Sequence, residues 1–401
     1  MHILYIHQYF CPPGGAGNDR SLELARAWTQ SGHRVTVLTS IAYFPGSLRF
    51  SGVRRFFDFD GISVLALNVP YSHTMRYPAR VAAFLKFYLK AIKGAGSLPR
   101  PDIIYASSTP PTVGEMGRRL ARRWDVPFVF ETVDVWPDVP IGMGIVRNRM
   151  VGRWLTHRVD RIYQDADLVV ALSEGMKAQI VRHHVPEQKV VVAHNGTNLQ
   201  AFPYSVRPGR AELNVIYAGT VGIANGVSVL ADLSLLLEKR GVSGIRFTVL
   251  GGGNDLSRVK GRVAALGRTN IHFVPSVPKQ EVAEHFSQAD AGVVTFAPFK
   301  VLEANSANKF FDYLASGLPV IINYEGWQAE YLRSHGCGLV SPMGDLEALA
   351  DNVTALLDQP GRRLSMGANA RKLAEECFDR HRIAADLLWR LEGLVRGWRP
   401  G

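Results

Sequence analysis

Residues 1–40, MHILYIHQYFCPPGGAGNDRSLELARAWTQSGHRVTVLTS, contain two short apolar runs separated by a glycine-rich turn and an amphipathic segment of helix length. Residues 3–6 and 35–39 have the apolar, β-branched composition of buried strands, and residues 18–30 have helical periodicity. A strand, a crossover helix and a second strand make the repeating unit of a parallel sheet. The first forty residues therefore predict the start of a doubly wound α/β domain.

The same alternation continues along the chain. In the first half, further strand-like runs are residues 63–67, 103–105, 128–131, 168–172 and 190–193. After a polar, proline-containing stretch at 202–213, the runs are residues 214–218, 246–250, 271–274, 291–295 and 319–323. The sequence thus predicts an α/β architecture of two doubly wound, Rossmann-like domains, residues 1–205 and 206–401. Ligands of such sheets bind beyond the carboxyl ends of the strands, so we expect the domains to face each other across a cleft. The helical segment 381–396 can pack on either domain, including the N-terminal one.

The composition is typical of a cytoplasmic globular protein. A chain of 401 residues exceeds one ordinary core, and it is 47% apolar and 20% charged without a low-complexity run. The N-terminus opens on a strand-like run instead of a leader, and no apolar run is long enough to cross a bilayer. Three widely spaced cysteines without a CxxC pair argue against a disulfide framework and a zinc site. The sequence leaves the oligomeric state open.

The formal net charge of +11 predicts an anionic partner. The sequence has no nucleic-acid-binding signature, so we expect phosphorylated ligands and an anionic membrane surface instead of nucleic acid. Residues 78–93 form a predicted helix with an apolar face made of Val81, Phe84, Leu85, Tyr88, Leu89 and Ile92, and with lysines 86, 90 and 93 on the other side. Such a helix suits a membrane interface, and it equally suits a domain core with a solvated basic face.

A glycine-rich loop, PPGGAG at residues 12–17, lies between the first strand and the first helix. Gly15 and Gly17 allow backbone N–H groups to approach an anion at the helix N-terminus, and they are predicted to contact a phosphate. The spacing differs from the dinucleotide-binding fingerprint. The alternative is a tight turn between strand and helix.

The stretch NSANKFFDYLASGLP, residues 305–319, precedes a predicted strand. Asn305 or Ser306 can cap a helix whose first N–H groups, those of Ala307, Asn308 and Lys309, face a phosphate. Asp312 lies one turn along the same face as Lys309, where its carboxylate can accept ribose hydroxyls. The alternative is an amphipathic helix whose Lys309 and Asp312 face water.

This stretch resembles the donor-site motif of retaining glycosyltransferase family 4, in which a loop opens a helix that carries an acidic residue and leads into Gly-Xaa-Pro-Val. Asp312 stands at the second position of the family's acidic pair, whereas Ala304, beside Glu303, stands at the first. The resemblance covers nearly the whole chain and continues, in order, at residues 12–17, 32–37, 131–137, 173–176, 194–198 and 219–222. The variant is closest to bacterial transferases of O-antigen and capsule assembly, including the N-acetyl-L-fucosamine transferases.

The resemblance implies further donor contacts in two loops of the second domain. Loop 219–226 corresponds to the family's phosphate loop, which makes Gly219, Thr220, Gly222 and Asn225 predicted contacts. Thr220 and Asn225 stand where many members have arginine and lysine. Gly252, in the loop 251–254, corresponds to the nucleotide-facing loop, although a glycine triplet is equally a flexible turn.

Two acidic positions in the first domain receive different interpretations. Asp134 follows the strand-like run 128–131, where a carboxylate can hydrogen-bond a sugar or the attacking hydroxyl; its alternative is a cap in the turn before Pro137. The Asp58-Phe59-Asp60 triplet mimics a metal-binding motif. Because Gly61 and a strand follow it, we predict a hairpin-like turn and assign no metal site.

Together these features predict a retaining glycosyltransferase that needs no metal or other cofactor. Asp134 and Lys309 are its predicted catalytic residues, and a nucleotide sugar, UDP-linked rather than GDP-linked, is its expected co-substrate. The expected acceptor is a lipid-linked glycan of surface polysaccharide synthesis, reached from the inner face of the cytoplasmic membrane. The alternatives are a non-hydrolysing sugar-nucleotide epimerase and a membrane scaffold that has lost catalysis.

Overall fold

The computed structural model describes residues 1–15, 17–72, 75–204 and 212–399. The chain divides into two compact units: Met1–His194 together with His381–Gly401 form the first, and Asn195–Arg380 form the second. The division between His194 and Asn195 lies before the predicted domain limit at 205/206. That limit itself falls within residues 205–211, which lie outside the described residues. Ala16 of the predicted glycine loop also lies outside them.

The first unit is built on an eight-stranded sheet. Its strands are β1 (His2–Ile6), β2 (Arg34–Ser40), β3 (Arg54–Phe59), β4 (Ile62–Leu67), β5 (Ile103–Ser107), β6 (Phe128–Thr132), β7 (Leu168–Ala171) and β8 (Val190–Val192). Its helices up to residue 194 are α1 (Arg20–Gln30), α2 (Tyr77–Ala95), α3 (Thr112–Trp124), α4 (Asp138–Gly142), α5 (Arg149–Asp165) and α6 (Glu174–Val181). The strand order is β3-β4-β2-β1-β5-β6-β7-β8, and each neighbouring pair is parallel except β3–β4.

The second unit is built on a six-stranded parallel sheet. Its strands are β9 (Leu213–Ala218), β10 (Ile245–Leu250), β11 (Ile271–Val274), β12 (Ala291–Val294), β13 (Val320–Ile322) and β14 (Gly338–Val340). Its helices are α7 (Val229–Lys239), α8 (Leu256–Ala265), α9 (Lys279–Ser287), α10 (Asn308–Ala315), α11 (Trp327–His335), α12 (Leu346–Asp358) and α13 (Pro360–Cys377). The order β11-β10-β9-β12-β13-β14 reverses direction between β9 and β12, and ligands of such sheets bind at that switch point.

Burial explains why the sequence selects parallel sheets. Every residue of β1, β5, β6 and β12 is buried, as expected for strands covered by helices on both faces. Each of the predicted strand-like runs overlaps an observed strand, and two Rossmann-like α/β units are confirmed. The sequence analysis missed β3 and β14: β3 is an arginine-bearing edge strand that is mostly exposed, and β14 has only three residues.

The Asp58-Phe59-Asp60 triplet lies in the hairpin that joins β3 to β4. Asp60 and Gly61 have φ of 54° and 81°, as the two central residues of a type I′ turn require. The Asp58 carboxylate accepts a hydrogen bond from the Gly61 N–H at 3.0 Å. The predicted hairpin-like turn is therefore confirmed.

The last helix, α14 (Arg380–Gly397), belongs to the first unit from His381 onward. Trp28 Nε1 on α1 donates a hydrogen bond to the Ala384 carbonyl at 3.1 Å, and both residues are buried. Leu387 and Leu391 join the same core. The chain therefore returns to its first sheet after it has completed the second.

Helix α2 buries a different face from the predicted one. Ala83, Phe87 and Ala91 form its buried stripe, whereas Val81, Leu85 and Leu89 of the predicted apolar face are exposed. Phe84 and Tyr88 are half-buried between the two stripes. The core alternative is therefore wrong for Val81, Leu85 and Leu89, because Ala83, Phe87 and Ala91 line the packed side, and the membrane-interface alternative stays a prediction. The helix therefore has a core stripe and a second, uncovered apolar stripe.

Candidate functional site

The N-terminus of α10 lies after the 3₁₀ turn Lys300–Ala304, beyond the carboxyl end of β12 at the switch point of the second sheet. The predicted cap was wrong: Ala307 occupies the N-cap, and no side chain caps the helix. Ser306 is instead held by Asn195, whose Nδ2 donates to the Ser306 carbonyl at 3.0 Å. Phe310 N–H donates to the Ala307 carbonyl at 3.1 Å, whereas the N–H groups of Asn308 and Lys309 come before the first acceptors that the helix itself can offer, so this end suits an anion.

Lys309 places a positive charge at this helix end. Its Nζ donates a hydrogen bond to Tyr217 Oη at 3.2 Å and lies 4.4 Å from the centre of the Tyr217 ring. Among the described residues, no carboxylate forms an ion pair with it. Burial lowers the pKa of Lys309 to about 8, because charge is costly there without an opposite charge. The positive charge of Lys309 can therefore be balanced by an anionic ligand.

Three buried asparagine oxygens near α10 also lack partners. The Oδ1 atoms of Asn195, Asn305 and Asn308 accept no hydrogen bond from the described residues. Buried polar atoms are almost always paired, and an unpaired acceptor costs about 1 to 3 kcal/mol. Hydroxyl groups of a ligand are suitable donors for such oxygens.

The loop after β9 contains four of the predicted donor contacts. Its backbone lies directly against the loop after β10: Gly219 N–H donates to Leu250 O at 2.9 Å, and Val221 N–H donates to Gly252 O at 2.9 Å. A Cβ atom on Gly251 would lie 2.1 Å from Gly219 O, and one on Gly253 would lie 2.3 Å from Val221 O. The glycine triplet is therefore required by close backbone packing, and not only by a turn.

Thr220 and Asn225 have different surroundings in that loop. Thr220 is exposed, and its carbonyl accepts a hydrogen bond from Tyr217 Oη at 2.6 Å. The Asn225 side chain flanks Gly222, with Nδ2 3.4 Å from the position that a Cβ of Gly222 would take. A Cβ on Gly219 would lie 3.2 Å from Lys309 Cε. Tyr217 thus connects this loop to Lys309 through one hydroxyl group.

Asp312 lies on α10 but does not pair with Lys309. Its Oδ1 accepts a hydrogen bond from Thr197 Oγ1 at 2.8 Å, and Thr197 is buried in the loop after β8. Ala304, at the first acidic position of the family motif, is buried, and Glu303 beside it is half-buried. The second unit thus brings together Lys309, the glycine loops and the asparagines, with Asp312 held one turn further along.

In the first unit, Gly15 and Gly17 pack against their own chain. A Cβ atom on Gly15 would lie 2.6 Å from Tyr43 O, and one on Gly17 would lie 2.9 Å from Tyr43 Cδ1. Helix α1 begins at Arg20 and not at residue 18, and the Arg20 N–H donates to Asn18 Oδ1 at 2.9 Å. Close packing against Tyr43 explains these two glycines, which favours the tight-turn alternative.

Asp134 follows β6 in the same unit. Thr109 Oγ1 lies 3.4 Å from its Oδ2, and burial raises the pKa of Asp134 above its ordinary value. Pro137 occupies the N-cap of α4, and no hydrogen bond from Asp134 to that helix is present in the described part of the chain. The cap alternative was therefore wrong, and among the described residues Thr109 is the hydrogen-bond partner of this carboxylate.

A buried network near Asp134 was not found from the sequence. Arg20 Nε donates to Glu131 Oε1 at 2.9 Å, and Arg20 also bonds the carbonyls of Ala193 and His194. Burial opposes the charge of Glu131, but the Arg20 guanidinium and a hydrogen bond from Ser107 hold its pKa below the ordinary value. The network ties the ends of β5, β6 and β8 together behind the Asp134 loop.

Residues 15–196 match the glycosyl transferase 4-like domain, and residues 210–373 match the glycosyl transferases group 1 domain. The chain is a glycosyltransferase of the GT-B fold. These matches favour a transferase over the epimerase and the inactive scaffold.

Relatives of the transferase support the same fold. WcaL of Escherichia coli K12, provisionally named as a colanic acid biosynthesis glycosyltransferase, is 21% identical over 322 residues, which cover 76% of this chain and 74% of WcaL. Sucrose-phosphate synthase of Thermosynechococcus elongatus has a TM-score of 0.80 at 18% identity, covering 98% of this chain and 99% of that chain. Anabaena HepE in complex with UDP-glucose has a TM-score of 0.71 at 15% identity, covering 98% and 100%.

Tyr217 and Asn195 are the residues of the transferase that sequence reasoning missed at the α10 end, whereas Asn308 was a predicted phosphate contact and Asn305 a predicted cap. Tyr217 is the fifth residue of a buried strand, where an aromatic side chain is ordinary core. Asn195 lies more than a hundred positions from Ser306, so only the folded chain brings them together. The position of Asn308 next to Lys309 was the one available signal.

Proposed function

We propose that this glycosyltransferase moves a sugar from a nucleotide diphosphate donor, UDP-linked rather than GDP-linked, to a lipid-linked glycan, with retention of anomeric configuration and without a bound metal. The observation that carries the proposal is the uncapped α10 N-terminus with Lys309 beside it. Helix N–H groups and an ammonium group are together a suitable cradle for a diphosphate. HepE, one of the structural neighbours, is in complex with UDP-glucose.

The donor site is proposed around three kinds of contact. Lys309 and the α10 N–H groups hold the diphosphate, and its negative charge stabilises the protonated form of Lys309. The unpaired oxygens of Asn195, Asn305 and Asn308 accept sugar or ribose hydroxyls. Asp312 holds the ribose, and Thr197 fixes the orientation of its carboxylate. The loops of Gly219 and Gly252 contact the phosphates and nucleoside through their backbone.

Transfer requires one bond to break and one to form at C1 of the donor sugar. The acceptor oxygen bonds to C1 on the same face from which the β-phosphate oxygen departs, and the acceptor proton passes to that phosphate oxygen. Lys309 and the helix N-terminus stabilise the charge that develops on the leaving diphosphate. Asp134 orients the attacking hydroxyl, and a hydrogen bond from that hydroxyl would offset part of the burial that raises the pKa of Asp134.

The acceptor is proposed to be presented at the inner face of the cytoplasmic membrane in surface polysaccharide synthesis. WcaL is named for the synthesis of such a polymer. The charge of +11 and the exposed Val81, Leu85 and Leu89 stripe of α2, beside exposed Lys86 and Lys93, suit a peripheral contact with anionic lipid. In the described part of the chain, no helix is long and apolar enough to cross a bilayer. The donor sugar is proposed to be an N-acetylated deoxyamino sugar, as in the N-acetyl-L-fucosamine transferases that the sequence resembles.

The test is release of nucleoside diphosphate from a panel of UDP and GDP sugars in EDTA, with and without polyprenyl-diphosphate sugars as acceptors. We expect release from one donor only when acceptor is present, and proton NMR of the product shows the donor's anomeric configuration. Interconversion of donors without acceptor contradicts the proposal in favour of an epimerase. Release that disappears in EDTA and returns with a divalent cation contradicts metal independence.

Two variants separate the proposed roles. Lys309→Ala should weaken donor binding about 10- to 100-fold, the loss of a charge-assisted hydrogen bond. Asp134→Asn should reduce turnover by at least about 100-fold with donor affinity unchanged. Lys239→Ala, at an exposed position of α7, is the control that should change neither quantity. Equal donor affinity in the Lys309 variant and the wild type contradicts the assignment.

A further inference from the structure

The segment Ile141 to Arg161 of the first unit carries an unusual density of exposed apolar side chains. Met150 is 80% exposed and Trp154 is 58% exposed, and three further apolar residues of the segment are exposed. These are Ile141, Ile145 and Val151. Single exposed apolar residues are normal on a protein surface, whereas a contiguous group is typical of a contact site. We call this group, with its arginines, the α4–α5 surface.

Helix α5 has two different faces. Gly152, Val159, Ile162 and Tyr163 are buried and pack into the first unit. Met150 and Trp154 are four residues apart and therefore lie together on the outward side, which continues to Arg161. On a typical surface helix this side carries mostly charged and polar residues. The exposed apolar residues are thus not part of the core stripe.

Positive charge surrounds these apolar side chains. Exposed arginines of the segment are Arg147, Arg149, Arg153, Arg158 and Arg161. None of them forms an ion pair with a carboxylate of the described residues, and the guanidinium of Arg158 lies 5.4 Å from the centre of the Trp154 ring. The one acidic residue of the segment, Asp160, hydrogen-bonds His183 at 2.7 Å. The surface therefore combines exposed apolar side chains with exposed positive charge.

The backbone under this surface is fixed. Asn148 caps α5, with its Oδ1 accepting hydrogen bonds from Met150 N–H at 2.9 Å and Val151 N–H at 3.2 Å. His183 contacts Asp138 at 3.2 Å as well as Asp160, and so connects the start of α4 to α5. The side chains therefore project from ordered helices. A preformed contact surface loses less conformational entropy on binding than a loop would.

We infer that the α4–α5 surface binds an anionic lipid bilayer, with Met150 and Trp154 inserted at the interface and the arginines on lipid phosphates. Charge complementarity decides the occupant, because five exposed arginines, with Asp160 of the same segment held by His183, match an anionic membrane. Tryptophan with arginine is also a usual composition of membrane interfaces. The inference rests on the proposed function in one respect: the membrane that this surface binds is the one that presents the acceptor. None of these residues is assigned to the donor, to Asp134 or to α2.

The experiment is flotation of the full chain with vesicles of phosphatidylcholine alone or mixed with phosphatidylglycerol, at low and high salt. The apolar variant is Met150→Ser with Trp154→Ser, and the charge variant is Arg149→Gln with Arg153→Gln. The matched control is Trp389→Ser on α14, because Trp389 is 67% exposed and also lies beside an arginine, Arg390, 6.0 Å away. Unchanged circular dichroism and Tm establish that each variant is folded.

We expect the wild type to float with the anionic vesicles, less at high salt, and not with phosphatidylcholine alone. Both α4–α5 variants should bind at least about tenfold more weakly, and the control should bind like the wild type. Failure of the wild type to float, unchanged binding in the Met150/Trp154 variant, or an equal loss in the Trp389 variant overturns the inference. A change from dimer to monomer in the Met150/Trp154 variant without vesicle binding by the wild type also overturns it, in favour of a second copy as the occupant.

Turnover with a water-soluble acceptor analogue separates this inference from the proposed function. Vesicle binding without turnover of any donor contradicts the proposed function and leaves the surface assignment intact. Turnover of the soluble analogue without vesicle binding contradicts the surface assignment and leaves the proposed function intact. The Met150/Trp154 variant should retain turnover of the soluble analogue and lose it on vesicle-embedded acceptor.

Discussion

Tyr217 is the residue whose contacts connect most of the donor site. Its hydroxyl donates to the Thr220 carbonyl and accepts from Lys309 Nζ, while its ring lies under the same ammonium group. One side chain therefore fixes both the position of the positive charge and the conformation of the glycine loop. Without the contacts to Tyr217, the Lys309 side chain would populate more rotamers, and donor binding would then have to fix one of them at an entropy cost.

Tyr217→Phe tests this connection because it keeps the ring and removes the hydroxyl. We expect donor affinity to fall about three- to tenfold, the effect of one hydrogen bond, and less than in Lys309→Ala. Isothermal titration calorimetry with the donor found in the release assay measures it. A combined Tyr217→Phe, Lys309→Ala variant should lose less than the sum of the two free energies, since the residues act as a unit. Full additivity contradicts the connection.

The lowered pKa of Lys309 predicts a pH dependence of donor binding. The intact donor binds the protonated amine, so affinity should be constant below pH 8, where Lys309 is charged. Above its pKa of about 8, the dissociation constant should rise by about tenfold per pH unit, because binding then requires uptake of one proton. Calorimetry from pH 6 to pH 10 measures this, and the Lys309→Ala variant should show a flat profile. A flat wild-type profile contradicts the role of Lys309.

His183 predicts a different pH dependence, that of stability. Its hydrogen bond to Asp138 raises its pKa above the ordinary value, and the bond to Asp160 adds to this. The stabilisation is therefore present below the unfolded-state pKa of about 6.5 and is lost as pH rises through the raised folded-state pKa. His183→Gln should cost about 1 to 3 kcal/mol at pH 6 and less at pH 9, measured by urea unfolding. His157→Gln, exposed on α5, is the control and should cost little at either pH.

For single residues, the sequence predicted that Lys309 lies beside a helix N-terminus, because the lysine and the start of the helix belong to one short motif. It did not predict the cap, since Ser306 is occupied by Asn195 from a distant loop. Nor could it separate packing from ligand contact at Gly15 and Gly17, where Tyr43 fills the space. Contacts between residues far apart in the sequence are what a local pattern does not contain.

Among the elements, the loops after β9 and β10 depend most strictly on their sequence. Gly251 has φ of 142° and lies against Gly219, so an added Cβ meets both a strained backbone angle and a carbonyl oxygen. Gly251→Ala should therefore lower the free energy of unfolding by about 2 to 4 kcal/mol and weaken donor binding by displacing the β9 loop.

The matched control is Gly261→Ala in helix α8, where a Cβ meets no atom within 4 Å. The same substitution should there stabilise the protein by about 0.5 to 1 kcal/mol, because alanine is the better helix former. Thermal unfolding with and without donor measures both effects. Destabilisation of equal size in the two variants contradicts the close-packing argument.

Element prediction failed where a strand lacks a core face or a helix has two apolar stripes. β3 has arginines and mostly exposed residues, because it pairs only with β4 at the sheet edge. In α2, a periodic pattern identified an apolar stripe correctly but could not say whether protein or membrane covers it. Tertiary neighbours, and not propensity, decide both cases.

For the whole molecule, the sequence pattern did not predict which unit α14 packs on, and the structure places it in the first unit. Leu391 is fully buried in the first core, although the entire second unit separates it from α1 along the chain. Leu391→Ala should cost about 2 to 5 kcal/mol of stability by leaving a cavity.

Donor affinity is the readout that locates this effect. It should be unchanged in Leu391→Ala at temperatures where the variant is folded, because the donor residues lie in the other unit. Differential scanning calorimetry and donor titration measure the two quantities, with Arg390→Ala at an exposed neighbouring position as the control. Loss of donor binding in the folded Leu391 variant contradicts the division of roles between the units.

The return of α14 also sets an order for synthesis on the ribosome. The segment that carries Trp28 emerges early, yet the helix that covers it, with Ala384, Leu387 and Leu391, follows only after the second unit has been translated. During that interval the apolar residues of the first unit that pack against α14 lack this cover, and apolar surface exposed during folding promotes aggregation. The second unit has no such delay, so it can complete its folding first although it is translated later.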